Sequence, residues 1–233
     1  MRSLIILILI VTFESCAPSR HVIPLGRREK AVSIAVGGPI IDKYNVPLPV
    51  PLSSISYAYG ITKKTTRIAA VHLSSMYYGI YHLEAGFLRE FYYNKKLKVG
   101  FTGNLMGNFT IDQWDWKFRF YPQIDLNLYW HFKGDSHYHC DCPADRGLLQ
   151  FLYIGSTNWI ALKPSESYYY TQGQRFLLNP HFGYNIGTKR TKLNFEFKYY
   201  LPYVKNSNTR NEYYNPIGNY GAFGGTFSVY RIF

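Results

Sequence analysis

The chain of 233 residues carries a formal net charge of +12 and is rich in aromatic residues, with 23 Tyr, 16 Phe and 4 Trp. This length suits one domain with a sizeable core, and no flexible linker divides the chain, which argues against two separate folding units. Only 17% of the residues are charged. The composition therefore favours two-faced strands over amphipathic helices.

The N-terminus has the features of an export signal. Arg2 precedes an apolar run over residues 4–11, which is too short to cross a bilayer but suits the central region of a secretory signal. Cys16 follows soon after this run, directly behind the small residue Ser15, and the segment resembles a bacterial lipoprotein signal. We expect a signal peptide at residues 1–15 and a lipidated Cys16. Ordinary cleavage nearby, or an unmodified cysteine, is the alternative.

A basic segment follows the proposed anchor. Arg20, Arg27, Arg28 and Lys30 cluster within residues 16–30, where they would be attracted to anionic lipid. We expect a lipid-anchored tether over this range, and a solvated basic tether is the alternative. An exported chain rarely meets nucleic acid, so outer-membrane lipid is the expected partner of the positive charge and nucleic acid is not.

Alternation of apolar and polar residues continues to the C-terminus and predicts about ten strands. The clearest pattern is WDWKFRFYPQIDLNLYWHFK, which begins at Trp114 and keeps one apolar and one polar face throughout. The predicted strands lie near residues 32–37, 54–61, 67–74, 81–91, 97–105, 114–133, 148–160, 175–186, 192–203 and 223–233. The segment 148–160 is apolar on both faces and is assigned on its length and bounding turns alone.

Short and long connections alternate between these strands. The motifs TKKT, NKKL and GTKR form short turns, whereas long polar segments join most of the other pairs. Two connections break the rule, because SSMYYG is short where a loop is expected and GDSHYHCDCPAD is long where a turn is expected. Short turns on one side and long loops on the other are typical of a transmembrane β-barrel.

The apolar faces are too bulky to fill a narrow ten-stranded barrel, so we expect them to face lipid. Residues 120–130 would span about 25 Å of the membrane normal. Over residues 32–233 the chain resembles the small outer-membrane β-barrel proteins of Gram-negative bacteria, and it ends as they usually do on an aromatic residue, Phe233. Arg231 departs from their terminal pattern. We expect the barrel to occupy residues 31–233. The resemblance implies a closed antiparallel transmembrane barrel of eight to twelve strands in the outer membrane; a buried β-sandwich is the alternative.

The polar faces predict a filled lumen. We expect a network of paired charges and hydrogen bonds there, because buried polar groups need partners. The predicted members are His72, His82, Glu84, Lys98, Lys117, Arg119, Asp125, Arg175, His181, Glu196 and Lys198. An acid/base site is the alternative reading, since some small barrels are enzymes, but these positions are not gathered at one rim and no catalytic motif accompanies them. We therefore predict no catalysis.

Two further clusters lie between strands. His137, His139, Cys140 and Cys142 form the densest group of ligand-type residues; a disulfide or structural thiols are favoured over a metal site, and no cofactor is expected. Tyr168, Tyr169, Tyr170, Tyr213 and Tyr214 lie on long loops, where they would bind a surface ligand or extend the aromatic girdle. The expected role is that of a structural or accessory subunit of a larger outer-membrane complex, or of a surface-binding protein. A narrow porin, or an enzyme acting on envelope lipid or peptide, is the alternative.

Overall fold

A computed structural model describes residues 21–43, 46–49, 52–114, 116–134, 148–160, 176–205, 212–213, 215 and 218–233. Ten long antiparallel strands form one closed barrel in these residues, as the sequence predicted. The strands of the barrel are β1 (Lys30–Lys43), β3 (Leu52–Thr62), β4 (Thr65–His72), β5 (Ile80–Asn94), β6 (Val99–Asp112), β7 (Phe118–Lys133), β8 (Leu149–Ile160), β9 (Phe176–Gly187), β10 (Thr191–Lys205) and β12 (Tyr220–Ile232). Two short strands, β2 (Val46–Pro49) and β11 (Glu212–Tyr213), pair with the far end of β1.

The barrel closes between its first and last strands. Each long strand from β3 to β10 pairs with its neighbour in the chain, and β10 pairs with β12. β1 pairs with β3 on one side and with β12 on the other, where Ala31 lies opposite Ile232. Closure gives each of the ten long strands a paired neighbour on both sides, so the described barrel has no edge strand.

The apolar face of β7 points outward. Leu126, Leu128 and Trp130 are 39%, 50% and 50% exposed, whereas the intervening Asn127 and Tyr129 are 3% and 1% exposed. Because side chains alternate across a strand, this places the polar set in the lumen and the apolar set on the outer surface. The prediction from the alternation is confirmed, and the sandwich alternative is wrong.

The two ends of the barrel differ in their connections. At one end, here called the turn end, short turns join β3 to β4, β5 to β6, and β9 to β10, and both Lys30 and Phe233 lie there. The other end, here called the loop end, carries the remaining connections except one, and it includes one short helix, α1 (Leu73–Tyr77). The exception is the long connection between β7 and β8, residues 134–148, which joins these strands at the turn end. The helix occupies the SSMYYG segment, which explains how this short connection spans the gap between β4 and β5.

β7 begins later than the alternation suggested. Trp116 has a φ of 51°, in the left-handed region that a regular strand does not use, and the strand starts at Phe118. The alternation of apolar and polar residues therefore begins before the strand does, at Trp114 and Trp116. No helix in the described part of the chain is long and apolar enough to cross a membrane.

Candidate functional site

The lumen at the turn end is filled by the chain's own N-terminal segment. Residues 21–26, here called the plug, precede β1 and have no regular secondary structure. All six residues are buried, with Leu25 only 1% exposed. Two hydrogen bonds fix the backbone: the Leu25 amide donates to Thr66 Oγ1 at 2.8 Å, and Thr102 Oγ1 donates to the Val22 carbonyl at 2.8 Å.

Apolar side chains of the plug pack against opposite walls. Leu25 belongs to a buried cluster whose other members are Ala31, Ala58, Ile68, Leu88, Met106 and Ile232. Val22 and Ile23 pack with Tyr129, Phe151 and Tyr153 on β7 and β8. The plug thus crosses the barrel and buries apolar area that would otherwise face a wet channel, which stabilises its docked position.

The plug leaves the lumen beside β3. Gly60 binds this exit through backbone hydrogen bonds, donating to Glu29 and accepting from Arg28. A side chain on Gly60 would collide with the Gly26 carbonyl, so this position needs a glycine. Arg27 and Arg28 are exposed just beyond the exit. The sequence predicted a tether over residues 16–30, whereas residues 21–26 are buried in the structure. The reason is that their apolar side chains pack against apolar residues on the inner surface of the barrel.

His21 is the polar member of the plug. Its ring packs against that of Tyr230 on β12, with the centroids 4.6 Å apart. Burial, together with the nearby Lys192 ammonium, lowers the pKa of His21 to about 3. The imidazole is therefore neutral when the plug is docked.

Beyond the plug, toward the loop end, a polar network links β4 to β7. His72 Nε2 lies 3.1 Å from Glu84 Oε2, and the rings of His72 and His82 stack with centroids 3.8 Å apart. His82 Nε2 in turn lies 3.1 Å from Asn108 Oδ1. The His72 imidazole thus contacts a carboxylate, the His82 imidazole contacts an amide oxygen, and the two rings stack on each other.

The same network continues along β6 and β7. Asn108 Nδ2 donates to Gln123 Oε1 at 3.0 Å, and Gln123 Nε2 donates to Asp125 Oδ1 at 2.6 Å. Asn104 Nδ2 donates to the other oxygen of Asp125 at 3.3 Å. All of these side chains are buried, so the network fills this part of the lumen.

A second network lies on β8 to β10. Glu196 accepts a hydrogen bond from Tyr153 Oη at 2.9 Å and pairs with Lys198 Nζ at 3.1 Å. Asn194 Nδ2 also donates to Tyr153 Oη, and His181 Nε2 lies 2.7 Å from Asn127 Oδ1. The Glu196 carboxylate of this buried ion pair thus also accepts a hydrogen bond from a tyrosine, which offsets part of the cost of burying its charge.

Most of the predicted lumenal residues are buried inside the barrel. These are His72, His82, Glu84, Asp125, His181, Glu196 and Lys198. Three predicted positions are not buried in the lumen. Lys98 lies half-buried in the turn between β5 and β6, with a φ of 53°, while Lys117 precedes β7 and Arg119 is exposed near its first residue. Their parity matched the lumenal set, but the barrel wall does not enclose them.

The remaining predicted positions lie outside what the structure describes. They are Cys16, His137, His139, Cys140, Cys142, Tyr168, Tyr169, Tyr170, Arg175 and Tyr214. Tyr213 belongs to β11, where it lies opposite Ile41 of β1. Within the described ranges, no three His, Cys, Asp or Glu residues are grouped so that they could hold a metal ion.

Several lumenal residues were missed by the sequence reasoning. Glu90 on β5 accepts a 2.5 Å hydrogen bond from Tyr129 Oη, and both side chains are buried. Asn104, Asn108 and Asn194 carry much of the two networks. Each of these residues follows the inward parity of its strand, so the signal was present. The predicted set contained only charged residues and histidines, which left out the asparagines, and it did not include Glu90.

A polar, filled interior behind an outward apolar surface decides the class of the protein. The chain is an outer-membrane β-barrel. Only closed barrels and helices can span a bilayer with all backbone groups paired, and the outward rows of Leu, Phe and Trp are the lipid-facing surface that such a barrel requires.

Comparison with known proteins finds similar chains among solved structures. No protein-family model matches the sequence, and no curated protein is detectably similar to it. Among solved structures, the NanC porin is similar at 10% identity, covering 87% of this chain and 98% of its own, with a TM-score of 0.39. Ail of Yersinia pestis, crystallised with the heparin analogue sucrose octasulfate, is 8% identical over 89% of this chain and 99% of its own, with a TM-score of 0.29.

A third similar structure is the outer-membrane protein OprG of Pseudomonas aeruginosa. It is 7% identical over 90% of this chain and 98% of its own, with a TM-score of 0.31. All three TM-scores are below 0.5, so these likenesses carry no argument about ligand or activity.

Proposed function

We propose that this outer-membrane barrel is non-catalytic and non-conducting, and that it acts through its surface as a structural or surface-binding protein. The filled lumen is the observation that supports this proposal. The plug occupies the turn end, and two hydrogen-bonded networks occupy the space beyond it. A solute or ion crossing the barrel would have to displace buried side chains that are already paired.

The absence of catalysis is supported by how the candidate acid and base groups are used. Glu84 and His72 contact each other, and Glu196 contacts Lys198 and Tyr153. These pairs lie on different walls, so they do not converge on one reacting atom, which an acid/base site requires.

Conductance across planar bilayers tests the closed lumen. We expect the purified full-length barrel to give no stable channels, because the plug and the networks exclude water from a continuous path. Gly60→Val, which should displace the plug at Gly26, would open only the turn end and leave the networks in place. Large, stable channels from the wild-type protein would contradict the proposal.

A narrow porin is the second candidate, and the polar lining of the lumen favours it. Buried amides from β6 to β10 line the barrel beyond the plug. If the plug were a removable gate, Gly60→Val should conduct and the matched control Gly218→Ala, whose added Cβ meets nothing within 4 Å, should remain closed. Conductance confined to Gly60→Val would support this second candidate over the first.

The surface-binding part is tested in intact cells. A photo-activatable amino acid at Tyr169, in a predicted loop, should give a discrete cross-linked product on a cell-surface partner. The same group at Tyr57, which is 46% exposed on the lipid-facing surface, serves as the control and should label lipid only. If the group at Tyr169, like the one at Tyr57, cross-links to nothing but lipid, the surface-binding role is wrong.

A further inference from the structure

We infer that the outer wall of the barrel at the turn end carries a binding site for the phosphodiester headgroup of an anionic phospholipid. The site, here called the basic patch, comprises Lys30, Tyr59, Arg67, Phe87 and Arg89, with Lys63 and Lys64 in the adjoining turn. The patch lies on the outside of the barrel, so it does not depend on what fills the lumen.

The patch is built by strand register. Lys30 lies opposite Tyr59, Tyr59 opposite Arg67, and Arg67 opposite Phe87, which makes one row across β1, β3, β4 and β5. The inward neighbours Ala31, Ala58 and Thr66 are buried, so the row itself points outward.

A second arginine lies beside this row. Arg89 on β5 lies opposite Thr65 of β4, and Thr65 is two positions from Arg67 on the same face. The two arginines are therefore diagonal neighbours, whose Cα atoms are about 7–8 Å apart. Both side chains are exposed. Two guanidinium groups at this spacing can donate to one phosphate from two directions, and guanidinium geometry suits phosphate oxygens.

Aromatic rings orient the cations. The Arg67 guanidinium carbon lies 5.8 Å from the centroid of the Phe87 ring. Tyr59 adds a ring with a polar tip in the same row, as is usual at the membrane–water boundary. On β1 and β3 the next outward residues toward the loop end are Val32 and Tyr57, which belong to the apolar belt, so on these strands the patch borders the belt.

The patch has no outward acidic neighbour. Within the described residues, the turn-end halves of β1, β3, β4 and β5 present no Asp or Glu to the outside. Glu29, next to Lys30 in sequence, is half-buried and accepts a 2.7 Å hydrogen bond from the Gly26 amide. A lipid-facing arginine is costly unless an anion compensates it, and at this level the available anion is a headgroup.

Position along the membrane normal selects the kind of lipid. Short turns of outer-membrane barrels face the periplasm, so the turn end meets the inner leaflet. Lipid A in the opposite leaflet also carries phosphate groups that two arginines could bind. An acidic protein is another possible partner of a basic surface. The placement of the patch beside the apolar belt favours the phospholipid.

Native mass spectrometry of the folded full-length protein tests the site. The probes are dioleoylphosphatidylglycerol and dioleoylphosphatidylcholine, which differ in net charge. We expect the wild type to retain phosphatidylglycerol preferentially, and this preference to fall about fivefold for each of Arg67→Gln and Arg89→Gln. Arg119→Gln, an exposed arginine at the loop end, is the matched control and should keep the full preference.

Further arms distinguish the alternatives. Arg67→Lys with Arg89→Lys preserves charge and should retain part of the preference, which also keeps the test valid if the glutamine variants fold poorly. Equal retention of both lipids by the wild type, or an unchanged preference in folded Arg67→Gln, would overturn the inference. Stronger retention of lipid A through the same arginines would overturn the assignment to the inner leaflet. Binding of soluble polyglutamate without any lipid preference would assign the patch to an acidic protein.

Discussion

Individual lumenal residues are held by short, buried hydrogen bonds rather than by apolar packing alone. Tyr129 shows the pattern most clearly: its hydroxyl donates to Glu90, while its ring packs with the plug cluster. One side chain therefore links the polar wall of β5 to the apolar surface that receives Val22 and Ile23. Loss of the hydroxyl leaves the ring in place and isolates the polar contribution.

Tyr129→Phe should lower the free energy of unfolding by about 1–3 kcal/mol, because the buried Glu90 carboxylate loses a donor. Urea unfolding of the barrel in lipid vesicles, followed by tryptophan fluorescence, measures the change. Tyr57→Phe is the control, since Tyr57 is 46% exposed on the outer surface and should change little. Equal effects of the two substitutions would show that the Glu90 hydrogen bond contributes nothing.

Among the elements, the plug contains an ionisable group, His21, on which its docking depends. The docked plug holds His21 neutral, with its pKa lowered from 6.5 to about 3. A lowered histidine pKa means that the free plug binds a proton more readily than the docked one. Docking is therefore fully favourable above about pH 6.5 and weakens as the pH falls from there toward 3.

Acidification from pH 7.5 to pH 5 should expose the plug. Hydrogen exchange at the Leu25 amide, which donates to Thr66 in the docked state, should speed up relative to a free peptide at the same pH. His21→Gln cannot gain this proton, so its exchange protection should not depend on pH in this range. The same acid response in His21→Gln would assign it to other groups.

Elements differed in how well the sequence predicted them. The alternation over residues 118–133 fixed which face of β7 meets lipid, because period two is a property of the strand itself. The plug was not predicted, since HVIPLG has no periodicity and reads as part of a basic tether. Its position depends on apolar groups from β1, β3 to β8 and β12 that meet only in the closed barrel.

The networks show the same division at the level of the site. Parity predicted that His72, Glu84 and Glu196 face inward, and they are buried. It did not predict the pairing of Tyr153 with Glu196, whose residues are 43 positions apart in the chain. Parity also assigned Arg119 to the lumen, because alternation alone does not indicate where the barrel wall stops enclosing a strand.

For the whole molecule, the seam between β1 and β12 defines closure. Ala35 lies opposite Ser228, and both side chains are buried in the lumen. Directly opposed residues on antiparallel strands have Cβ atoms about 4.5–5.5 Å apart, within reach of a disulfide once small sulfur side chains relax.

Ala35→Cys with Ser228→Cys should form a disulfide in a chain whose native cysteines are replaced with serine. Oxidation of the folded protein would then give a cyclised chain that migrates faster after heat denaturation. The matched control is Val36→Cys with Ser228→Cys, because Val36 faces away from the lumen and should not cross-link. Cross-linking of the control pair alone would show that the register between β1 and β12 differs by one residue from the one described here.

The location of the plug also sets an order of assembly. Its walls include Tyr230 and Ile232, which lie near the C-terminus, although the plug itself precedes β1. The docking surface is therefore incomplete until the last strand joins the first. Contacts between such distant parts of a chain form late, because a long loop must close before they are gained. We therefore expect the plug to dock after β12 has paired with β1, so that burial of Leu25 marks a closed barrel.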